Sequence, residues 1–419
     1  MDKIVVRGGA PLRGEIAVSG AKNAALPLLF ATLLTEEECR LSRVPRLVDI
    51  HTTLRLLRDL GVEYEWIDDQ EVALSAGRVQ NLEASYDLVK TMRASFLTLG
   101  PLLARFGRAR VSTPGGCAIG ARPVNIHLDG LQRLGATIHL YQGYVEAEAK
   151  KLRGAHLPLE FPSVGATENL MMAAALAEGD TIIDNAAREP EIVDLALLLN
   201  AMGARIRGAG TNSIIIEGVS SLHGAEHVVI PDRVEAGTFL AAGAITSGDV
   251  FVRGARADHL DEFLATFKEA GIEFVVHEAG IRVIGNGRPA GIQLTTLPYP
   301  GFPTDLQAQM MALLSLGQGQ STITETIFEN RFMHAQELVR LGADIQVHGN
   351  VATINGVAYL SGAQVMATDL RASVSLLLAG LAAQGETEVA RVYHLDRGYE
   401  RIEEKLSRLG ADIRRAKAD

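Results

Sequence analysis

The feature that most constrains the fold of this chain is a signature repeated six times along its 419 residues. Each copy is an apolar residue, a glycine, and then an alternating polar and apolar run. The copies are "LGVEYEW" at Gly61, "LGATIHL" at Gly135, "MGARIRG" at Gly203, "AGIEFVV" at Gly271, "LGADIQV" at Gly342 and "LGADIRR" at Gly410. Successive glycines lie 74, 68, 68, 71 and 68 residues apart. A fixed period over six copies demands one repeated structural unit. Its length exceeds that of the common solenoids, which favours closed domains over an open array.

The unit can be read from its pattern. The signature predicts a helix that ends with glycine just past its last turn and then a strand. Upstream of it lies a second, more apolar helix, a glycine and a β-branched strand, as in "LMMAAALAEGDTIID" from Leu170 and "FLAAGAITSGDVFVR" from Phe239. Three such units per domain, used twice, account for the whole chain. The apolar content of 47%, with 21% charged residues, describes a globular protein. A net charge of −10 argues against a nucleic-acid binder. The first residues, "MDKIVVRGGAPLRGE", lack the apolar core of a secretory signal, and no apolar run reaches the roughly 20 residues needed to cross a bilayer. Cys39 and Cys117 are the only cysteines, and no Cys/His spacing resembles a zinc site. The expectation is a soluble, cytoplasmic protein without a metal or cofactor; its oligomeric state is not legible.

The helix starts carry the chemistry. The run "KNAALPLLFATLL" is apolar on every side from Ala24, so it reads as a buried helix with Pro27 in its first turn. Lys22 then sits beside a helix N-terminus that is itself partly positive, which is unfavourable unless an anion belongs there too. The six apolar helices are entered through Lys22-Asn23, Met92-Arg93, Thr167-Glu168-Asn169, Asp232-Arg233, Thr304-Asp305 and Asp369-Leu370-Arg371. Four of these six entrances contain Lys or Arg, on an acidic protein. If the three buried helices of each domain run parallel, two such faces opposed make a cleft for a highly anionic substrate.

Taken in order, "SGAKNAALP", "KTMRAS", "PGGCAIGARPV", "SVGAT", "FPTDLQAQ", "ENRFMH", "ATDLRAS" and "HLDRGYERIEEKL" resemble the enolpyruvyl transferases that act on UDP-N-acetylglucosamine. The likeness runs from the first residues to the last. It implies an inside-out α/β barrel of two similar domains with three repeated units each. Domain one would be residues 22–229 and domain two residues 1–21 with 230–419. The implied reaction joins phosphoenolpyruvate to the 3′-hydroxyl of the UDP-sugar and releases phosphate by addition and elimination. It is the first committed step of bacterial peptidoglycan synthesis, and the family is the target of the epoxide fosfomycin.

Residue by residue, the resemblance assigns roles. Cys117 sits among glycines with Arg108, Arg110 and Arg122 nearby, a setting compatible with either a reactive or a packing cysteine; the resemblance makes it the acid that protonates C3 of phosphoenolpyruvate. Cys39 has no such setting. Asp305 suits a first helical turn, and the resemblance adds a role as base toward the sugar hydroxyl. Lys22, Arg122 and Arg397 would hold the phosphate of phosphoenolpyruvate, with Arg331 and Arg371 in the same cationic lining. Asp369 is either a helix cap paired with Arg371 or, by resemblance, a proton-handling carboxylate. The nucleotide sugar would contact Asn23, Arg93, the run Arg122, Pro123, Val124, Asn125 and Ile126, then Ser163, Val164, Gly165 and Ile327. Asn125 stands where many relatives carry aspartate. A sister enolpyruvyl transferase uses shikimate 3-phosphate, but its first helix typically opens Lys-Ser and it lacks the cysteine loop. A catalytically silent UDP-sugar binder would have lost Cys117, Asp305 or an anion-binding arginine. A repeat-built scaffold would not need charged helix entrances.

Overall fold

The repeat glycines do the same structural work six times. In the computed structural model, which describes residues 2–90, 92–113 and 124–417, Gly61, Gly135, Gly203, Gly271, Gly342 and Gly410 all have positive φ, between 75° and 109°. Only glycine adopts this conformation without a Cβ penalty. Each closes its helix with paired backbone bonds. At the first copy Gly61 N–H donates to the Arg58 carbonyl (2.9 Å) and Val62 N–H to that of Leu57 (2.9 Å). At the last, Gly410 donates to Ser407 (2.9 Å) and Ala411 to Leu406 (3.1 Å). These bonds satisfy carbonyls that a helix end would otherwise leave unpaired.

The result is a mixed α/β protein with six four-stranded sheets among the described residues. Every sheet has one plan: a short strand parallel to the second, which is antiparallel to the third, which is antiparallel to the fourth. Thus His156–Pro158 runs parallel to Asp180–Asp184, which pairs with Ser213–Glu217, which pairs with Arg205–Arg207. The alternation exposed–buried–exposed–buried along Asp180–Asp184 turns one face of the sheet inward.

The chain divides into two compact units. A central unit holds residues 20–113 and 124–230, and a terminal unit holds 2–19 and 231–417. In the central unit Glu226–Val228 returns to lie parallel to Cys39–Ser42, so its last strand pairs with its first sheet. In the terminal unit both N-terminal strands are recruited. Asp2–Arg7 enters between Glu386–Ala390 and Asp412–Lys417, and Arg13–Ala17 lies parallel to Asp249–Arg253. Each unit has its own core. The apolar helices form its centre: in Val164–Ala175 every residue from Ala166 to Ala175 is buried. Complete burial of side chains such as Leu170 and Met172 contributes about 1.5–3 kcal/mol each. No helix among the described residues is long and apolar enough to cross a membrane.

Several helix starts differ from the sequence expectation. The first apolar helix already begins at Lys22, so Pro27 lies in its interior and not its first turn. Its missing N–H removes the bond to the carbonyl of Asn23, which is half-buried. The third begins at Val164 behind a Ser163 cap, so Thr167, Glu168 and Asn169 are interior and buried. Arg93–Thr98 and Thr304–Leu306 are 3-10 turns that lead into the α-helices Leu99–Phe106 and Gln307–Ser315.

Candidate active site

In the terminal unit, three helix starts meet on one arginine. Arg371 precedes the helix Ser373–Ala382, and its side chain is 2% exposed. Its Nη2 donates to Asp232 Oδ2 at 3.2 Å and its Nη1 to the Gly398 carbonyl at 2.9 Å. Its Nε lies 3.8 Å from Asp305 Oδ2. Asp232 caps the helix Arg233–Ile245 by accepting from Val234 and Glu235 N–H. Asp305 leads into Gln307–Ser315 through its 3-10 turn. The starts of these three buried helices therefore converge, as the parallel packing expected from the sequence requires. Burial opposes the Arg371 charge, but Asp232 and Asp305 outweigh it and hold the pKa above the ordinary value.

Asp305 is also held by Arg331, whose Nη2 donates to its Oδ1 at 2.9 Å. Burial disfavours the Arg331 charge, while Asp305, Asp369 and Glu325 together raise its pKa. Oδ1 is thus held by a hydrogen bond and Oδ2 only lies near the Arg371 charge, while the side chain remains 26% exposed. Asp369 Oδ1 accepts from the N–H groups of Arg371 (2.9 Å) and Ala372 (2.8 Å), so the capping role is real. Its Oδ2 is buried without a hydrogen bond, as is Arg331 Nη1. Ile327 N–H donates to Glu325 Oε1 at 2.8 Å, and Arg397 ends the turn Val392–Arg397 next to Gly398. Arg371 and Arg331, expected as lining for substrate anions, are thus bonded to the protein's own carboxylates. The hydrogen bonds of Arg371 go to Asp232 and Gly398, and its Nε, 3.8 Å from Asp305, makes none.

In the central unit, the anion that the Lys22 argument demanded is internal. Lys22 is the first residue of the helix Lys22–Ala31, and its Nζ lies 2.7 Å from Asp49 Oδ2. Both side chains are about 95% buried, at 5% and 4% exposure. Asp49 sits in the first turn of Val48–Leu60, where a carboxylate also suits the helix dipole. Asn23 and Arg93 are half-buried, Arg93 opening the turn Arg93–Thr98. Val124 precedes the helix Asn125–Arg133, whose first residues are the exposed Asn125 and half-buried Ile126. Ser163 caps Val164–Ala175 by accepting from Ala166 N–H at 3.3 Å, so Val164 and Gly165 form a helix N-terminus of the kind that binds anions. Cys117, Arg122 and Pro123 lie outside the described residues. Arg110, counted among the cations near Cys117, is committed to Glu83 (2.8 Å) and Glu146 (3.0 Å) and stacks on Tyr144. Cys39 is fully buried, and burial raises its pKa, as suits a packing role.

Four further residues act in these arrangements without having been singled out as site residues. Asp49 neutralises Lys22, and Asp232 holds Arg371. Glu325 binds Thr296, Thr304, Ile327 and Phe328, tying the loop of Ile327 to the turn of Asp305. Tyr399 lies beneath Arg371 at 5.3 Å, and burial pushes its pKa up to about 12. The requirement of a counter-charge for Lys22 implied such a partner, but nothing in the spacing named Asp49.

The comparisons give the class. The family model described as EPSP synthase (3-phosphoshikimate 1-carboxyvinyltransferase) matches residues 6–406. The structure of the enolpyruvyl transferase NikO from Streptomyces tendae aligns with a TM-score of 0.90 at 26% identity, covering all of this chain and 99% of that one. EPSP synthase from Acinetobacter baumannii aligns over both full chains with a TM-score of 0.78 at 20% identity, a likeness of fold alone. The class is an enolpyruvyl, or carboxyvinyl, transferase.

Among curated proteins, the UDP-N-acetylglucosamine 1-carboxyvinyltransferase of Geobacter metallireducens is 58% identical over 100% of both chains. Those of Geotalea uraniireducens and Trichlorobacter lovleyi are each 57% identical over 99% of both. The chain belongs to the UDP-N-acetylglucosamine 1-carboxyvinyltransferase family.

Proposed function

We propose that this protein transfers the enolpyruvyl group of phosphoenolpyruvate to the 3′-hydroxyl of UDP-N-acetylglucosamine, releasing phosphate and opening peptidoglycan synthesis. The observation that carries the reading is 57–58% identity, over essentially the whole chain, to three proteins of that name. In the addition step Asp305 takes the hydroxyl proton as the sugar oxygen bonds to C2 of phosphoenolpyruvate. Cys117 gives its thiol proton to C3, so the double bond becomes a tetrahedral centre. In the elimination step a C3 proton returns to the Cys117 thiolate, the double bond re-forms, and the bond from C2 to the phosphate oxygen breaks. The departing phosphate carries away the proton that Asp305 had taken. As written, the sequence consumes no oxidant or reductant.

The geometry of Asp305 suits its part. A base must be fixed within hydrogen-bond reach of its proton, and Arg331 holds Oδ1 by a hydrogen bond while a quarter of the Asp305 side chain stays open. Lys22, Arg122 and Arg397 are assigned to the phosphate of phosphoenolpyruvate, Arg331 and Arg371 to the same cationic lining toward its carboxylate and phosphate, and Asp369 to proton handling. Asn23, Arg93, residues 122–126, Ser163, Val164, Gly165 and Ile327 are assigned to the nucleotide sugar. The architecture belonging to this reading is the inside-out α/β barrel in two domains, 22–229 and 1–21 with 230–419. The common plan of the six sheets and the return of Glu226–Val228 to Cys39–Ser42 support it. A cytoplasmic location, a part in cell shape and division, and sensitivity to fosfomycin go with the same reading.

The test is phosphate release from phosphoenolpyruvate with UDP-N-acetylglucosamine and with shikimate 3-phosphate as separate acceptors. Release with the UDP-sugar alone is expected; release with neither would leave a silent binder. Cys117→Ala is expected to abolish covalent attachment of fosfomycin, read by intact mass, and retained labelling would place the nucleophile elsewhere.

A further inference from the structure

Asn169 and His127 together fix a proton. Asn169 is fully buried in the helix Val164–Ala175, and its amide has one permitted orientation. Its Oδ1 accepts from Gly100 N–H at 2.7 Å, and its Nδ2 donates to the Phe96 carbonyl at 3.3 Å. Reversing the amide would set oxygen against oxygen and N–H against N–H. Gly100 permits the approach, since a Cβ there would stand 2.4 Å from Asn169 Oδ1. The second hydrogen of Nδ2 points at His127 Nδ1, 3.1 Å away. Nδ1 must therefore accept, and the ring proton of the neutral imidazole resides on Nε2.

That N–H has no protein partner among the described residues, although His127 is only 9% exposed. Phe96 packs edge-on against the ring with centroids 5.2 Å apart, holding its plane. The ring edge bearing Nε2 faces Gly165. A Cβ built on Gly165 would lie 3.4 Å from His127 Cε1 and 3.6 Å from Nε2. Gly165 is in the first turn of Val164–Ala175, behind the Ser163 cap, where the helix dipole favours an anion. The charge of Arg93 also bears on the ring and, after burial itself, keeps it neutral.

We propose that His127 Nε2–H is a tautomer-locked donor to the diphosphate of the nucleotide sugar, and that Asn169 is the positioning residue that sets it. This rests on the UDP-sugar reading of the site. A neutral donor can hold a diphosphate oxygen beside a helix N-terminus without adding a charge that burial would penalise.

Calorimetric titration with UDP and with uridine tests it, on wild type, His127→Phe and His127→Gln. The phenylalanine keeps the ring without a donor, and the glutamine places an N–H near the Nε2 position. Expected for His127→Phe is a Kd for UDP raised about tenfold, with uridine binding within twofold of wild type. His127→Gln should recover most of the loss, and phosphoenolpyruvate KM should not move. An unchanged UDP affinity in a folded His127→Phe, or an equal loss with uridine, would overturn the proposal. If that variant does not fold, nitrogen NMR of wild type decides. The Nε2–H tautomer is expected in the free protein, with that resonance shifting on UDP addition; the other tautomer, or no shift, sinks the idea. Wild type that does not bind UDP, with the expected tautomer present, would instead count against the UDP-sugar reading.

Discussion

Lys22 and Asp49 form a buried pair whose two halves come from different helices, and a buried charge is tolerable only while it is compensated. Replacing Asp49 by asparagine keeps the volume and removes the counter-charge. Asp49→Asn is expected to lower the unfolding free energy by roughly 3–5 kcal/mol, the range for breaking a buried pair from one side. Adding Lys22→Met to it should recover part of that loss, because the buried ammonium that Asp49 neutralised is then gone. Urea denaturation of the wild type, both single variants and the double variant reads the coupling directly. Additive losses would show that the two groups are not each other's main partners. Under the proposed reaction, the phosphate of phosphoenolpyruvate has to compete with Asp49 for Lys22, so the pair also sets how strongly the empty site prefers to stay empty.

At the scale of elements, the six helix–glycine–strand joints separate two costs that a glycine can hide. Gly271 has φ of +75° with nothing within 4 Å of the place a methyl would take, whereas a Cβ on Gly61, at φ +109°, would lie 2.5 Å from the Arg78 carbonyl oxygen. Gly271→Ala should cost about 1–2 kcal/mol, the left-handed penalty alone. Gly61→Ala should cost clearly more, since backbone must also move. Thermal melting of the two variants ranks them, and equal losses would mean that the close approach at Gly61 relaxes freely. These joints were legible because glycine at a helix end followed by a strand is a local signal. The sixfold repetition of one unit followed from the period, but the pairing plan of its four-stranded sheet did not. Asp49 and Glu325 were not legible as parts of the site, and Asp232 and Asn169 were legible only as residues at helix entrances, because each acts across a tertiary contact that sequence spacing does not encode. Helix starts were misjudged where polar residues lie inside buried helices: Thr167, Glu168 and Asn169 look like an entrance, but the chain is already helical from Val164.

Across the whole molecule, buried titratable groups oppose one another. Burial lowers His127 to about 3, helped by Arg93. It lowers His334 to about 4 against the pull of Asp369 and the Arg331 carbonyl, with the Arg331 charge acting in the same direction as burial. The ordinary value is about 6.5. Each ring therefore contributes stability that is complete above pH 6.5 and is lost as the pH falls toward its folded value. Near pH 5 the unfolded chain carries a proton on each ring and the folded protein on neither. Glu168 acts with the opposite sign: burial, then Glu191 and Glu189, raises its pKa well above the usual 4.5. Burial also raises Glu235 against the charge of Lys405. Each of these carboxyls binds a proton more readily in the folded protein than in the unfolded chain, so this contribution is present below pH 4.5 and is lost as the pH rises through the folded value. The net slope of stability against pH is thus a difference, and single variants reveal what wild type conceals. Between pH 5 and 6, His334→Gln should reduce the slope of unfolding free energy by up to about 1.4 kcal/mol per pH unit, one proton's worth. Glu168→Gln should increase it, because that carboxyl contributes with the opposite sign. Denaturation midpoints with m-values at pH 5, 5.5 and 6 measure both. Slopes unchanged in both variants would mean that water reaches these groups in the folded protein and that neither core keeps its ionisable side chains neutral.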